Sequence, residues 1–494
     1  MISLKGLSYR YSTSETWALY QIDLTISLGE FVVVTGPSGC GKSTLALALG
    51  GYLFQQYDGE TEGQITISGM DVRGTPVYEI ADQVGLVQQN PESQFCTLTV
   101  IDEIAFGLEN RCLPRDEILA RIQWALDVVG ACELLDRELA TLSGGEKQKV
   151  AIAAVMAAKP QVLIFDEPTS NLDPAATAEI FDVIARLRED NQITVIVIEH
   201  KVQYLADFNP RLLRLVDGRL VEDRKLQITD SGYPQWEERL QPNVPTGVEP
   251  LVEVKNLHTG YGGEVILKDV SMQFFPGEWV SVMGDNGSGK TTFLLSLVGL
   301  LKPFRGQIRI LGNDSGQTKI SQQARQVGLI FQNPEHQLFT NSVWEEAIFA
   351  PRNFDLLDEE IEAEAKAYLQ RYGLGGREDD HPYRLSYGEK RRLNLISILT
   401  YRPRILLLDE IYIGQDPENL TLLLEMLRTY VDAGGVVISV NHHPEVTRQA
   451  ANRLIFFEGG RILVDAAVDQ GFDQLAALGK SFYLPLGVRA GVPT

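Results

Sequence analysis

Two kinds of apolar pattern run along the chain, and the whole series then runs again. The stretches "GQITISG" (Gly63 to Gly69) and "GQIRILG" (Gly306 to Gly312) alternate apolar and polar residues. That is the period of a strand with one solvated face. Other runs are apolar without interruption: "FVVVTG", "VLIFDE" and "TVIVIEH" early, "WVSVMG", "ILLLDE" and "GVVISVNH" late. Such short unbroken runs predict parallel strands buried on both faces. Between them, "RDEILARIQWALDVVG" and "LDEEIEAEAKAYLQRYG" carry the helical period. The expectation is an α/β core with some antiparallel β and a helical insertion.

The repetition extends to motifs. "GPSGCGKST" (Gly36 to Thr44) returns 248 residues later as "GDNGSGKTT" (Gly284 to Thr292). "LSGGEK", from Leu142, returns as "LSYGEK", from Leu385, after 243 residues, and Asp166 in "VLIFDE" returns as Asp409 at the same offset. Three motifs in one order at nearly one offset predict a duplicated domain, of ordinary size and far too long for a solenoid repeat. The predicted boundaries are a first domain over 1–228, a linker over 229–249, a second domain over 250–465, and a tail over 466–494 with no assigned role. The seam, "TDSGYPQWEERLQPNVPTGVEP", is polar, rich in Pro and Gly, and without a sustained apolar period.

Composition narrows the class. Of 494 residues, 44% are hydrophobic, ample for large cores. No apolar run approaches the ~18 residues of a membrane span. The start, "MISLKGLSYRYS", lacks the basic opening and apolar stretch of a secretory signal. The 4 cysteines (Cys40, Cys96, Cys112, Cys132) are scattered without a CxxC pair, which argues against a zinc site or disulfide framework and fits a reducing cytosol. A net charge of -22 lowers the expectation of a nucleic-acid partner, which calls for a basic face.

Each glycine-rich stretch follows an apolar strand and opens a helical segment, the context that makes GxxxxGK[ST] a phosphate-binding loop. Gly36, Gly39 and Gly41, like Gly284, Gly287 and Gly289, let backbone N–H groups turn toward phosphate oxygens, with Ser38 and Asn286 beside them. The helix N-terminus adds favourable potential for an anion. Lys42 and Lys290 are expected on the outer phosphates. Ser43 and Thr291 are expected on Mg²⁺, with Thr44 and Thr292 completing the loops.

Asp166 and Asp409 end apolar strands, where a carboxylate reaches a metal or its water, and Glu167 and Glu410 follow as general bases or water-orienting groups. His200 and His442 stand 34 and 33 residues beyond those aspartates and are read as γ-phosphate sensors, His442 in preference to His443. Gln89 and Gln332, in "VQQNPESQF" and "FQNPEHQLF", are read as contacts to Mg²⁺ and the water. Tyr11 and Tyr261, about 25 residues before the loops, offer rings on which adenine can stack.

Assembled, the two halves resemble ATP-binding cassette (ABC) ATPase domains over almost the whole chain apart from linker and tail. The resemblance implies two P-loop domains, each a RecA-like α/β core with an antiparallel β subdomain and a helical subdomain. It implies ATP and Mg²⁺ as ligands. It also implies a head-to-tail pairing in which the Leu-Ser-Gly-Gly phrase of one domain caps the triphosphate held by the other, here within one chain. Ser143 and Gly145 would cap the second loop, and Ser386 and Gly388 the first. Tyr387 replaces only the first glycine of the phrase, which is tolerated unless that position needs a positive φ. "DEIYIGQDP" departs from the family's Asp-Glu-Pro-Thr-x-x-Leu-Asp at Ile411, Tyr412 and Gln415, so the two sites are expected to be active but unequal.

Within the family, "QNPESQF" and "FQNPEHQLF" with the segments after them resemble the ATPases of energy-coupling-factor importers. That implies a transmembrane coupling subunit and a substrate-capturing membrane subunit, a place on the cytoplasmic face of the membrane, and docking grooves from Gln94 to about Arg111 and from Gln337 to Arg352. Tandem ATPases of simple-sugar importers rank second, because their second phosphate loop is usually degenerate and this one is intact. A soluble tandem protein acting on ribosomes would carry a long charged linker, and a DNA-repair relative would carry zinc-binding cysteine pairs.

Overall fold

The structure is a computed structural model describing residues 1–170, 172–191, 193–200, 202–226, 247–413 and 415–485. The chain divides into two compact units, Met1–Gly232 and Tyr233–Thr494. The expected linker lies almost wholly outside the described residues, as do residues 486–494 of the expected tail.

In the first unit a six-stranded sheet runs in the spatial order Arg219–Lys225, Arg211–Val216, Phe31–Thr35, Thr194–Ile198, Val162–Asp166, Val84–Val87. All neighbours are parallel except the edge hairpin formed by Arg211–Val216 and Arg219–Lys225. Its apolar runs are unbroken because each face is buried in a different core. Phe31, Val33, Leu163, Phe165, Val195 and Val197 point into one. Val32, Val34, Val162, Ile164, Ile196 and Ile198 point into the other. Strict alternation between two cores leaves no polar position, as parallel central strands require.

The first of those cores is closed by four helices, Val100–Glu109, Arg115–Val128, Gly144–Met156 and Pro174–Asn191, which bury Ile104, Leu108, Ile122, Leu126, Val150 and Ile184. The second is closed by the helix after the phosphate loop and by a four-stranded antiparallel sheet in the order Leu19–Ile26, Ile2–Tyr11, Gly59–Ile67, Met70–Asp71. In this sheet "GQITISG" buries Ile65 and Ile67 and exposes Gln64, as its alternation predicts.

The second unit repeats the plan. Its six strands lie in the order Val327–Ile330, Ile405–Asp409, Val436–Val440, Trp279–Gly284, Arg453–Glu458, Arg461–Ala467. Its four-stranded antiparallel sheet runs Glu264–Phe274, Val252–Tyr261, Arg305–Ile310, Asn313–Asp314. One helix differs. Where the first unit has the single helix Val100–Glu109, the second has Val343–Ala347 and Phe349–Asn353. Pro351 has no N–H for the Ala347 carbonyl, and the Thr400 hydroxyl donates to it instead at 2.9 Å.

Part of the expected tail is structured. The helix Val468–Ala477 buries Val468, Phe472 and Leu475 in the second unit's core, and Tyr483 and Leu484 are buried behind it.

Candidate functional site

The carboxyl ends of parallel strands are where ligands meet open α/β sheets, and in each unit the phosphate loop, the Asp-Glu pair, the glutamine and the histidine gather there, whereas Ser143, Gly145, Ser386 and Gly388 stand at helix starts. Phe31–Thr35 runs into the first glycine loop, and the helix Lys42–Leu49 leaves it. Gly41 sits at that helix's N-cap with φ 102°, and a Cβ there would lie 2.2 Å from the Ala18 carbonyl oxygen, so only glycine fits. Gly289 repeats the conformation at φ 101° before Lys290–Leu297. The Lys42 ammonium bonds the loop's own carbonyls, Gly36 at 3.0 Å and Pro37 at 2.9 Å. Lys290 does the same with Gly284 at 2.8 Å and Asp285 at 2.9 Å. Both lysines are buried, with their charged ends under the turn of the loop.

Behind each loop stands a hydroxyl–carboxylate pair. Ser43 Oγ donates to Asp166 Oδ1 at 3.3 Å, and Thr291 Oγ1 donates to Asp409 at 3.0 Å. Burial first, and the adjacent Glu167 second, push the Asp166 carboxyl up to about 6, against the pull of Ser43 and Lys42. Burial and then Glu410 push Asp409 up to about 6 as well, with Thr291, Lys290 and Arg391 opposing. A cation bound beside either carboxylate would lower it again. Among the described residues no group of three or more His, Cys, Asp or Glu is arranged to hold a metal alone. The oxygens present are hard donors, few in number, and fit a cation that takes the rest of its shell from phosphate and water.

Two side chains approach each glutamate, the glutamine through a hydrogen bond and the histidine by proximity. Gln89 Nε2 donates to Glu167 Oε2 at 3.0 Å, and His200 Nε2 lies 3.2 Å from Glu167 Oε1. In the second unit Gln332 Nε2 donates to Glu410 Oε2 at 3.1 Å, and His442 Nε2 lies 2.9 Å from Glu410 Oε1. Two side chains from the two flanking strand ends thus converge on one carboxylate, twice. Both glutamates also carry a left-handed backbone, φ 47° at Glu167 and φ 50° at Glu410. Such a conformation in a residue with a Cβ costs about 1 kcal/mol or more and collects at functional sites. It is held by the Glu167 N–H to Ile198 carbonyl bond and by Glu410 to Val440, both 2.9 Å. Motif reading finds the residues but not this strain, which has no signature in residue type.

The two tyrosines end equivalent strands, Ile2–Tyr11 and Val252–Tyr261. The Tyr11 hydroxyl lies 3.2 Å from Thr44 Oγ1, directly on the loop helix. Tyr261 is about half exposed and pairs with Glu264 across its hairpin.

The repeated Leu-Ser-x-Gly-Glu-Lys phrase is a helix start. Ser143 caps Gly144–Met156 and Ser386 caps Tyr387–Leu399, each in a capping box with the glutamate three residues on. The backbone N–H and hydroxyl of Ser143 hold the Glu146 carboxyl below its usual range. Burial works to raise Glu389, but Ser386 and Arg377 outweigh it and its carboxyl is lowered too. The Ser-x-x-Glu spacing in the sequence is the signal of these caps. Tyr387 is the first helical residue and is not among the positive-φ positions, so its ring is tolerated. Its hydroxyl donates to the Gln332 carbonyl at 3.2 Å and accepts from Arg391 at 3.0 Å. Arg391 is fully buried and also donates to the carbonyls of Phe331, at 2.7 Å, and Gln332. This tie between the glutamine segment and the helix start was not foreseen. Its signal was the joint replacement of Gly144 by Tyr387 and Gln148 by Arg391.

The departures at Ile411 and Tyr412 are buried core contacts. Asp416 caps Pro417–Asp432 by accepting from the Asn419 N–H at 2.8 Å, as Asp173 accepts from Ala176 at 2.9 Å.

A family described as ABC transporter matches residues 19–170 and 267–412. A putative ABC transporter ATP-binding protein of Methanosarcina acetivorans is 33% identical, aligning 98% of this chain with 88% of its own. The putative HMP/thiamine import ATP-binding protein YkoD of Bacillus subtilis is 32% identical, aligning 97% of this chain with 93% of its own. A solved structure of cbiO1 from Clostridium perfringens, titled part of the complex cbiONQ, is 25% identical over 49% of this chain and 98% of that one, with a TM-score of 0.43.

Proposed function

The chain belongs to the ABC transporter family, and on that premise we propose that it is the tandem ATPase of an energy-coupling-factor importer for a vitamin or transition-metal ion, working at the cytoplasmic face of a membrane. Hydrolysis of ATP to ADP and phosphate is the activity of the family. The observation that carries the reading is the repeated placement of Gln89 and His200 beside Glu167, and of Gln332 and His442 beside Glu410, each next to an intact phosphate loop. A degenerate second half would have lost it.

In each site the glutamate serves as base or orienter for the attacking water, the glutamine fixes one of its oxygens and the histidine the other. The lysine and loop N–H groups hold the outer phosphates. Ser43 with Gln89, and Thr291 with Gln332, are the protein ligands proposed for Mg²⁺, beside Asp166 and Asp409. Bound there, the ion neutralises charge that builds on the phosphates. Ser143 with Gly145, and Ser386 with Gly388, are proposed to cap the triphosphate of the opposite unit. Carrying both units on one chain removes most of the concentration dependence of that pairing.

For the membrane partner, support comes from the second unit. An apolar cleft of about 400 Å³ opens at the expected docking segment, lined by Leu300, Ile320, Phe339, Phe349, Phe354 and Tyr401. Phe339 is 69% exposed, an unusual cost for a ring that nothing covers. In the first unit the matching segment leaves Leu98 83% exposed. The relative named for HMP/thiamine import supports a small-solute cargo. The test is affinity purification of the tagged chain from detergent-solubilised membranes of its own cells. Integral membrane subunits that co-purify with ATP-dependent stoichiometry support import, and sedimentation with ribosomes contradicts it.

A further inference from the structure

The second phosphate loop has a support that the first does not share. Its second residue is Asp285, where the first loop has Pro37, which offers no side-chain acceptor. The Tyr483 hydroxyl donates to Asp285 Oδ1 at 2.6 Å. Tyr483 is 198 residues away in sequence, past the helix Val468–Ala477, and is only 2% exposed. Its ring stands edge-on to Phe456 with centroids 4.8 Å apart. Lys480 approaches the same carboxylate, 3.9 Å from Asp285 Oδ2, while bonded to Glu458. The strand Arg453–Glu458 therefore links both parties. Phe456 carries Tyr483, and the Phe457 carbonyl lies so near Gly284 that a Cβ there would come within 2.3 Å.

Asp285 matters because of what its backbone does. Its carbonyl accepts from the Lys290 ammonium at 2.9 Å and from the Ser288 N–H at 3.1 Å. Tyr483 thus grips the side chain of the residue whose main chain sets the lysine and the turn. A phenol donating to a carboxylate is a short, charge-assisted bond, and a buried ring in the 3-10 turn Ser481–Tyr483, packed on Phe456, holds it with little entropy left to lose.

We propose that Tyr483 is a positioning residue for the second phosphate loop. Through Asp285 it holds the loop in the shape that takes the triphosphate, so nucleotide affinity at that loop alone depends on the C-terminal segment. The proposal rests on the reading that this loop binds ATP.

The test is photolabelling of the full chain over a range of 8-azido-ATP concentrations, with the fragments that span Tyr11 to Lys42 and Tyr261 to Lys290 (the Lys42 and Lys290 peptides) quantified separately, so that each carries its adenine-side tyrosine. Tyr483→Phe keeps the ring on Phe456 and deletes only the hydroxyl. It is expected to raise the half-saturating concentration at the Lys290 peptide by about fivefold, the usual net worth of one such bond, and to leave the Lys42 peptide unchanged. Asp285→Ala should do the same, Asp285→Asn, which keeps an acceptor, should stay near wild type, and the Tyr483→Phe, Asp285→Ala pair should be no worse than either alone. Equal saturation of both peptides in wild type and Tyr483→Phe overturns the proposal, as do additive effects in the pair. If the wild-type Lys290 peptide does not label at all, the fault lies in the reading of the loop as an ATP site.

Discussion

The two units place a glutamate, a glutamine and a histidine within a few tenths of an ångström of the same arrangement, yet they support it with different residues. In the first, the buried Glu199 accepts from Thr169 Oγ1 at 2.6 Å and from the His200 N–H at 2.8 Å. In the second, Asn441 stands in its place, donating to Ser281 Oγ at 2.8 Å and accepting from the His443 N–H at 2.9 Å. The first has Gly144 and Gln148 where the second has the Tyr387–Arg391 tie. The first loop has Pro37, and the second Asp285 gripped by Tyr483. The residues proposed to touch the substrate are alike in the two units. The groups that hold those residues are free to change wherever another set of donors and acceptors satisfies the same buried atoms.

The largest effect should come from removing both carboxylates. Glu167→Gln with Glu410→Gln should lower ATP turnover by about 10²- to 10³-fold, read by phosphate release. If turnover survives, the base or orienting role is wrong for both units alike.

Next is Arg391→Gln, which gives the second unit the residue of the first. It strips the carbonyls of Phe331 and Gln332 of buried donors and should destabilise the second unit by about 2–4 kcal/mol, seen as a lowered unfolding transition in calorimetry. The reverse change, Gln148→Arg, buries a charge without a facing tyrosine and should be at least as costly to the first unit.

A smaller change is expected for Glu199→Gln. The amide can accept from Thr169 or His200 but meets the other with its own N–H, at a cost of about 1–2 kcal/mol to the first unit. Asn441→Gln in the second unit probes length there, not charge, and serves as the contrast.

Smallest is an effect the units share. Glu146 and Glu389 are held below the usual range by their capping boxes. Their contribution is therefore complete above the unfolded glutamate range, near 4.5, and fades as pH falls through the lower folded value. Glu146→Gln should flatten that part of the acid-unfolding curve for the first unit, and Glu389→Gln for the second.

Much of this was legible in the sequence. Unbroken apolar runs announced the parallel sheet, because two buried faces leave no polar position. The loops, Asp166, Glu167, Gln89 and His200 with their counterparts were found because their spacing repeats. The supports were not legible, since Arg391 to Phe331 and Tyr483 to Asp285 join segments 60 and 198 residues apart and fit no short motif. The helix Val468–Ala477 has a readable apolar period in Val468, Phe472 and Leu475, but its only repeat partner would lie beyond the first unit's last described strand.

The central claim is that one geometry, supported in two ways, gives two active but unequal sites. Its most direct test is the ATPase rate of Glu167→Gln beside that of Glu410→Gln, each in the full chain. Measurable residual rates that differ between the two variants are expected. Identical residual rates, or complete loss in both, would contradict the claim.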